Sequence, residues 1–214
     1  MRGMTRHLTP TLFLLAMACG SAADQPVNAT NRAASQAPAP SESESNVTAP
    51  TEPTVPVLTA EGYGPLRIGM TLADVVTTYG PDANLDSVGG PEPEVCDQFR
   101  PARAPEGLLV MVEDGRLTRI SLMNGAELET DRGLRVGADA AAVRAAYGSR
   151  LQAGPHKYQD PPAEYLTIWT RGGAGEDEVA PPDSRGIRYE IGQDNKVAMI
   201  HAGGPSIQYV EGCL

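Results

Sequence analysis

The segment LRIGMTLADVVTTYG at residues 66–80 returns as LRVGADAAAVRAAYG at residues 134–148, with seven of the fifteen positions identical. A duplication of this kind constrains the fold strongly, because two copies of one supersecondary unit have equivalent apolar surfaces to bury. Each copy runs from a short extended lead through glycine into a helical pattern. In the first, Thr71 stands three residues before Asp74, the spacing of a capping box, and Val75, Val76 and Tyr79 follow before Gly80. In the second, Asp139 takes the cap position, and Val143 and Tyr147 mark the inward face of an alanine-rich helix ending at Gly148.

Each helix precedes a hairpin pattern. LLVMVEDGRLTRISL (108–122) and IRYEIGQDNKVAMIHA (187–202) place Asp114-Gly115 and Asp194-Asn195 between runs of apolar and β-branched residues. Aligned on those turns, Arg116 meets Lys196, Leu117 meets Val197 and Ile120 meets Ile200. A further strand precedes each hairpin, around Val95–Phe99 and Tyr165–Thr170. The expected fold is therefore α+β. It has two tandem repeats, 57–130 and 131–214, each a short helix followed by a three-stranded antiparallel meander. The helices pack on one sheet face and leave the other for solvent or a partner.

Tandem units with G.LRIGMT.ADV...YG openings resemble the helix-plus-meander repeats of β-lactamase inhibitor protein and of the small lipoprotein of the outer-membrane β-barrel assembly machine. The likeness covers most of residues 62–203. The EGC ending and the long N-terminal stretch depart from both, so their particular partners are not carried over. The PHKY (155–158) and YVEGC (209–213) segments also resemble those of a broad group of bacterial lipoproteins.

Residues 1–18 combine Arg2 and Arg6 with the apolar run Leu12–Ala18, too short to span a bilayer, and read as an export signal. LAMAC resembles a lipobox, which makes Cys19 the lipidated first residue of the mature chain; the alternative is an ordinary secretory signal cut near GSA. Gly20 after the cysteine favours the outer membrane by resemblance to enteric sorting. Lipid supplies about 0.8 kcal/mol per buried methylene, so the membrane is reached through the anchor alone. Residues 19–56 are rich in Ala, Ser, Thr, Pro, Asn and Glu and read as a disordered tether with a root-mean-square reach of roughly 35 Å. With Cys19 spent on lipid, Cys96 and Cys213 remain to pair in an oxidising compartment.

Charge and motifs narrow the function. The chain carries a net charge of −10, and loss of residues 1–18 removes Arg2 and Arg6 but no acid. Nucleic acid and anionic headgroups are poor partners for such a chain. No GxSxG or HExxH pattern occurs, GGAGEDE (172–178) lacks the lysine of a P-loop, and Glu176, Asp177, Glu178 and Asp183 lack EF-hand spacing. No metal and no cofactor is expected.

The remaining candidates lie on the sheet. Alternation sets Tyr165, Thr167 and Trp169 opposite Leu166 and Ile168, and Arg188 and Glu190 opposite Ile187, Tyr189 and Ile191. It likewise sets Arg119 and Ser121 opposite Thr118, Ile120 and Leu122. Tyr165, Trp169, Arg119, Arg188 and His201 are thus expected to share an outward face of the residue types that dominate binding hot spots. For Trp169 the competing expectation is packing under the 171–185 loop. The sequence therefore reads as a periplasm-facing envelope lipoprotein, a non-enzymatic binding or assembly module for a protein or an envelope polymer. The alternative is a hydrolase or transferase using His156 with a nearby carboxylate or Tyr158.

Overall fold

Both related segments end in two-turn helices whose first residues are tied to a hairpin. The computed structural model describes residues 55–85, 89–123, 125–175 and 178–213, and Thr51–Leu214 form one compact unit. The export signal, Cys19 and nearly all of the tether lie outside the described residues. In α1 (Leu72–Tyr79) the capping box is reciprocal: Thr71 Oγ1 accepts from the Asp74 amide at 3.2 Å and Asp74 Oδ2 accepts from the Thr71 amide at 3.3 Å. In α2 (Ala140–Tyr147) Asp139 occupies the cap position, but its carboxylate receives Lys196 Nζ at 2.9 Å and makes no capping bond.

The helix starts rest on the hairpins in matching ways. Gly69 and Leu72 amides donate to the Leu117 and Gly115 carbonyls, and Gly137 and Ala140 amides donate to those of Val197 and Asn195. The halves then diverge in strand number, and the expected architecture of two helix-plus-three-strand repeats is incorrect. The structure is mostly β. A small sheet of two-residue strands, β1 (Leu58–Thr59), β2 (Gly62–Tyr63) and β3 (Leu66–Arg67), precedes α1. Three strands follow α1: β4 (Cys96–Phe99), β5 (Leu108–Glu113) and β6 (Arg116–Leu122). Four follow α2: β7 (Gln152–Pro155), β8 (Glu164–Arg171), β9 (Arg185–Ile191) and β10 (Val197–Gly203). They form one antiparallel sheet in the order β4-β5-β6-β10-β9-β8-β7, joined at its centre by β6 and β10.

The apolar face is not covered by helices alone. Leu58, Tyr63 and Leu66 of the small sheet join Val75, Val143 and Tyr147 of the helices against Val110, Ile120, Leu166, Tyr189 and Ile200. Each such side chain contributes about 1.5–3 kcal/mol through burial. The tyrosine hydroxyls within this core satisfy each other, Tyr147 to Tyr189 at 2.8 Å, and burial raises the pKa of both phenols. A bulge in β6 corrects one alternation: Leu117 pairs with Val112 and Arg119 with Met111, so Thr118 is the extra residue and Leu117 takes the core position.

Candidate functional site

The second sheet face is not free, because the C-terminal residues cross it as a strap. A short 3-10 turn, Pro205–Gln208, begins the crossing. It seats where the face carries glycines: Gly203 and Gly186 are register partners next to Arg119 and Trp169. A Cβ on Gly186 would lie 3.1 Å from Ile207 Cδ1 and 2.7 Å from Trp169 Cε3, so the missing side chain is what admits the fully buried Ile207. Arg119 Nη1 then donates to the Ser206 and Tyr209 carbonyls, both at 3.0 Å, and its Nη2 donates to Gln98 Oε1 at 2.7 Å. Arg188 Nη1 donates to the Gln208 carbonyl at 3.2 Å. The strap ends at Cys213, whose sulfur lies 2.14 Å from that of Cys96 on edge strand β4, the expected disulfide.

Beside the strap, a line of polar contacts runs from the sheet centre to the surface. His201 and Ser121 are register partners, and His201 Nδ1 lies 2.8 Å from Ser121 Oγ. His201 Nε2 faces Glu190 Oε2 at 3.9 Å, and His156 Nε2 lies 3.2 Å from Glu190 Oε1. His156 Nδ1 accepts the Tyr158 amide at 3.1 Å, which places its ring proton on Nε2, toward the carboxylate. At the surface the Tyr158 hydroxyl donates to Glu211 of the strap. The PHKY and YVEGC segments, more than fifty positions apart, thus meet at one place.

Burial sets the charges along this line. Desolvation pushes the His201 imidazole down to about 4, so it is neutral at physiological pH, with its proton directed at Glu190 and its Nδ1 accepting from Ser121. Hydrogen bonding from His201, then from His156, holds the Glu190 carboxyl below the usual range against the opposing cost of desolvation. Burial lowers Arg119 to about 10, which leaves it cationic. The His156 ring also stacks on Tyr165, with centroids 4.8 Å apart at 19°, and the Arg188 guanidinium lies 3.8 Å from the centre of the Tyr165 ring.

The sequence-selected residues therefore fall into three groups. Arg119, Arg188, Tyr165, His156 and His201 come together on one face, but all are at most 9% exposed and work beneath the strap. Trp169 is half-buried against Gly173 and Gly186, and its indole N–H donates to the Ala174 carbonyl at 3.2 Å, so it belongs to the 171–185 loop. Tyr158 is 62% exposed at the rim. The site also contains Ser121, Glu190, Gln98 and the strap residues Tyr209, Val210 and Glu211, which no catalytic or metal-binding motif in the sequence singles out. Ser121 and Glu190 were in phase with Arg119 and Arg188, and that phase was their available signal.

Exposed apolar surface gathers where the two segments meet: Tyr158, Tyr209 (43% exposed) and Val210 (41%) surround a surface depression that Lys157 and Glu211 also line. Behind it a cavity of about 280 Å³ reaches Ser121, His156, Glu190 and His201. Among the described residues no group of three or more His, Cys, Asp or Glu is placed to hold a metal ion, and no helix is long and apolar enough to cross a membrane. No family model, curated protein or solved structure matches the chain.

Proposed function

We propose that this chain is a non-enzymatic binding module of the bacterial cell envelope, tethered through a lipidated Cys19, whose contact surface is the junction of the PHKY and YVEGC segments. The observation that carries this reading is the junction itself. Two segments distant in sequence are brought together by a buried guanidinium network and a disulfide, and they present two exposed tyrosines and a valine over a cavity. Tyrosines on a pinned backbone offer large contact area at little cost in conformational entropy. The lipobox-like LAMAC and the low-complexity stretch after it support placement at the periplasmic face of the outer membrane.

Catalysis by His156 has less support. Its carboxylate neighbour, Glu190, lies at 3.2 Å, but that contact takes Nε2 and the Tyr158 amide takes Nδ1, so neither ring nitrogen is left for a substrate. Ser121 is 2% exposed and spends its hydroxyl on His201. The test is affinity purification from crosslinked envelopes with the wild-type chain and a Tyr158→Ser, Tyr209→Ser double variant. A co-purifying protein or envelope polymer recovered by the wild type and lost with the variant is expected. Equal recovery of every species overturns the reading.

A further inference from the structure

The rim tyrosine Tyr158 sits on a segment with little backbone support. After β7 the chain bends through residues 157–159, and among the described residues no amide of these three donates to a backbone carbonyl. Two side-chain bonds hold the bend instead: the Tyr158 amide donates to His156 Nδ1 at 3.1 Å, and the Tyr158 hydroxyl donates to Glu211. His156 is itself buried and fixed, with Nε2 3.2 Å from Glu190 Oε1 and its ring stacked on Tyr165. The ring is the post on which the Tyr158 backbone hangs.

That post works in one protonation state. Nδ1 accepts the Tyr158 N–H through its lone pair, so a proton added there removes the acceptor and sets two N–H groups against each other. Nε2 already carries the neutral ring's proton toward Glu190, which leaves Nδ1 as the position for a second one. Gln159 approaches Nε2 at 3.4 Å, and its amide offers a donor or, after rotation, an acceptor, so it does not compete for Nδ1. Charged and titratable groups surround the ring from every element packed near it: Tyr165 of β8, Glu190 and Arg188 of β9, His201 of β10, Arg119 of β6, Glu211 of the strap and the adjacent Lys157. The two guanidiniums oppose a positive charge on the ring but are committed to strap carbonyls. Glu190 is in direct contact, and its bond to Nε2 becomes charge-assisted when the ring is cationic. The cavity of about 280 Å³ that His156, Tyr158 and Glu190 line gives water a route to the ring.

We propose that His156 is a proton-operated latch on the contact surface: it holds the Tyr158 rim while Nδ1 is bare and releases it when acid protonates that nitrogen. The assignment rests on the binding reading above and adds its regulation. Tyr158 and Tyr209 line one depression, Tyr158 from the bend and Tyr209 from the strap. Release of the bend parts the two rings, so a surface formed at neutral pH is lost in acid.

The test is a pH titration of the full chain by NMR, reading the histidine ring nitrogens in long-range 1H–15N spectra and Tyr158 by its amide shift. At neutral pH His156 should be protonated at Nε2 and bare at Nδ1. On acidification, protonation of Nδ1 and loss of the hydrogen-bonded Tyr158 amide shift should follow one curve, while the amides of α2 keep theirs. His156→Asn puts a non-titrating acceptor near the Nδ1 position, and there the acid response of Tyr158 should vanish. Glu211→Gln, at an exposed residue, removes the other titrating group that touches Tyr158, and there the response should persist. A neutral ring protonated at Nδ1, a Tyr158 amide that stays put as His156 titrates or that follows His201 instead, a response lost in Glu211→Gln, or unfolding before His156 titrates overturns the proposal. If His156→Asn does not fold, the wild-type curves and Glu211→Gln decide. If the latch fails while the Tyr158→Ser, Tyr209→Ser variant still loses a partner, the regulation falls and the binding reading stands; a working latch with no partner lost leaves the switch and removes the binding reading.

Discussion

Arg119 holds the Tyr209 carbonyl at 3.0 Å across ninety positions of chain, from the middle of a central strand to the residue that follows the 3-10 turn of the strap. A lysine cannot reproduce this arrangement, because the same guanidinium also serves Ser206 and Gln98 in diverging directions. Arg119→Lys should cost about 1–3 kcal/mol by leaving buried acceptors unsatisfied. Amide exchange in residues 205–213 should accelerate well before exchange in α2, as measured by native-state hydrogen exchange.

The disulfide fixes the far end of the same strap. Cys96 and Cys213 are 117 positions apart, and chain-entropy reasoning gives an upper figure of about 4.7 kcal/mol for a loop on the order of 100 residues. Urea unfolding should show a Cys96→Ser, Cys213→Ser variant less stable by up to that amount. Reductant should destabilise the wild type toward the variant and leave the variant itself unchanged.

Acid should loosen the face beneath the strap. The folded chain holds His201 at about 4 against an ordinary 6.5, so below pH 6.5 the unfolded chain binds the extra proton first. Stability is fully present above about 6.5 and falls between there and about 4. Glu190, lowered in the folded state, adds stability above its ordinary value that is lost as pH drops through the folded one, which acts in the same direction. One proton gives a slope approaching about 1.4 kcal/mol per pH unit. His201→Gln should flatten the stability profile between pH 6.5 and 4; an unchanged slope would contradict the assignment.

The two helix starts should respond differently to alanine. Thr71 completes a reciprocal capping box, so Thr71→Ala should cost about 1 kcal/mol. Asp139 makes no capping bond and is paired only with exposed Lys196, so Asp139→Ala should change stability by less than about 0.5 kcal/mol. Paired denaturation curves check the contrast.

Local signals in the sequence were read well where chemistry is short-ranged. The Thr71–Asp74 spacing, the Asp114-Gly115 turn with positive φ at both residues, and the opposed phases of Tyr165, stacked on His156, and Leu166, in the core, appear in the structure as the sequence implies. Where long-range packing decides, the local pattern is silent. The strands β1, β2 and β3 are two residues each and carry no periodicity, and β7 is the exposed four-residue edge QAGP. Strict alternation puts Thr118 on the core face, because a bulge shifts phase without any mark in the side-chain pattern.

The expected outward face is covered for a similar reason. Alternation puts Arg119, Arg188 and Tyr165 on the face they occupy, but nothing periodic in GGPSIQYVEGC shows that this segment folds back over them. Gly186 and Gly203 were the available sign, since side-chain-free positions on a sheet face mark a close approach by another segment.

Site-directed photocrosslinking in intact envelopes tests the binding surface most directly. A photoreactive phenylalanine in place of Tyr209 should give a discrete adduct that is absent when the same group replaces Leu72 of α1, a residue of similar exposure (39% against 43%) outside the tyrosine surface. Adducts at position 72 but not at 209, or identical adducts from both, would contradict the account.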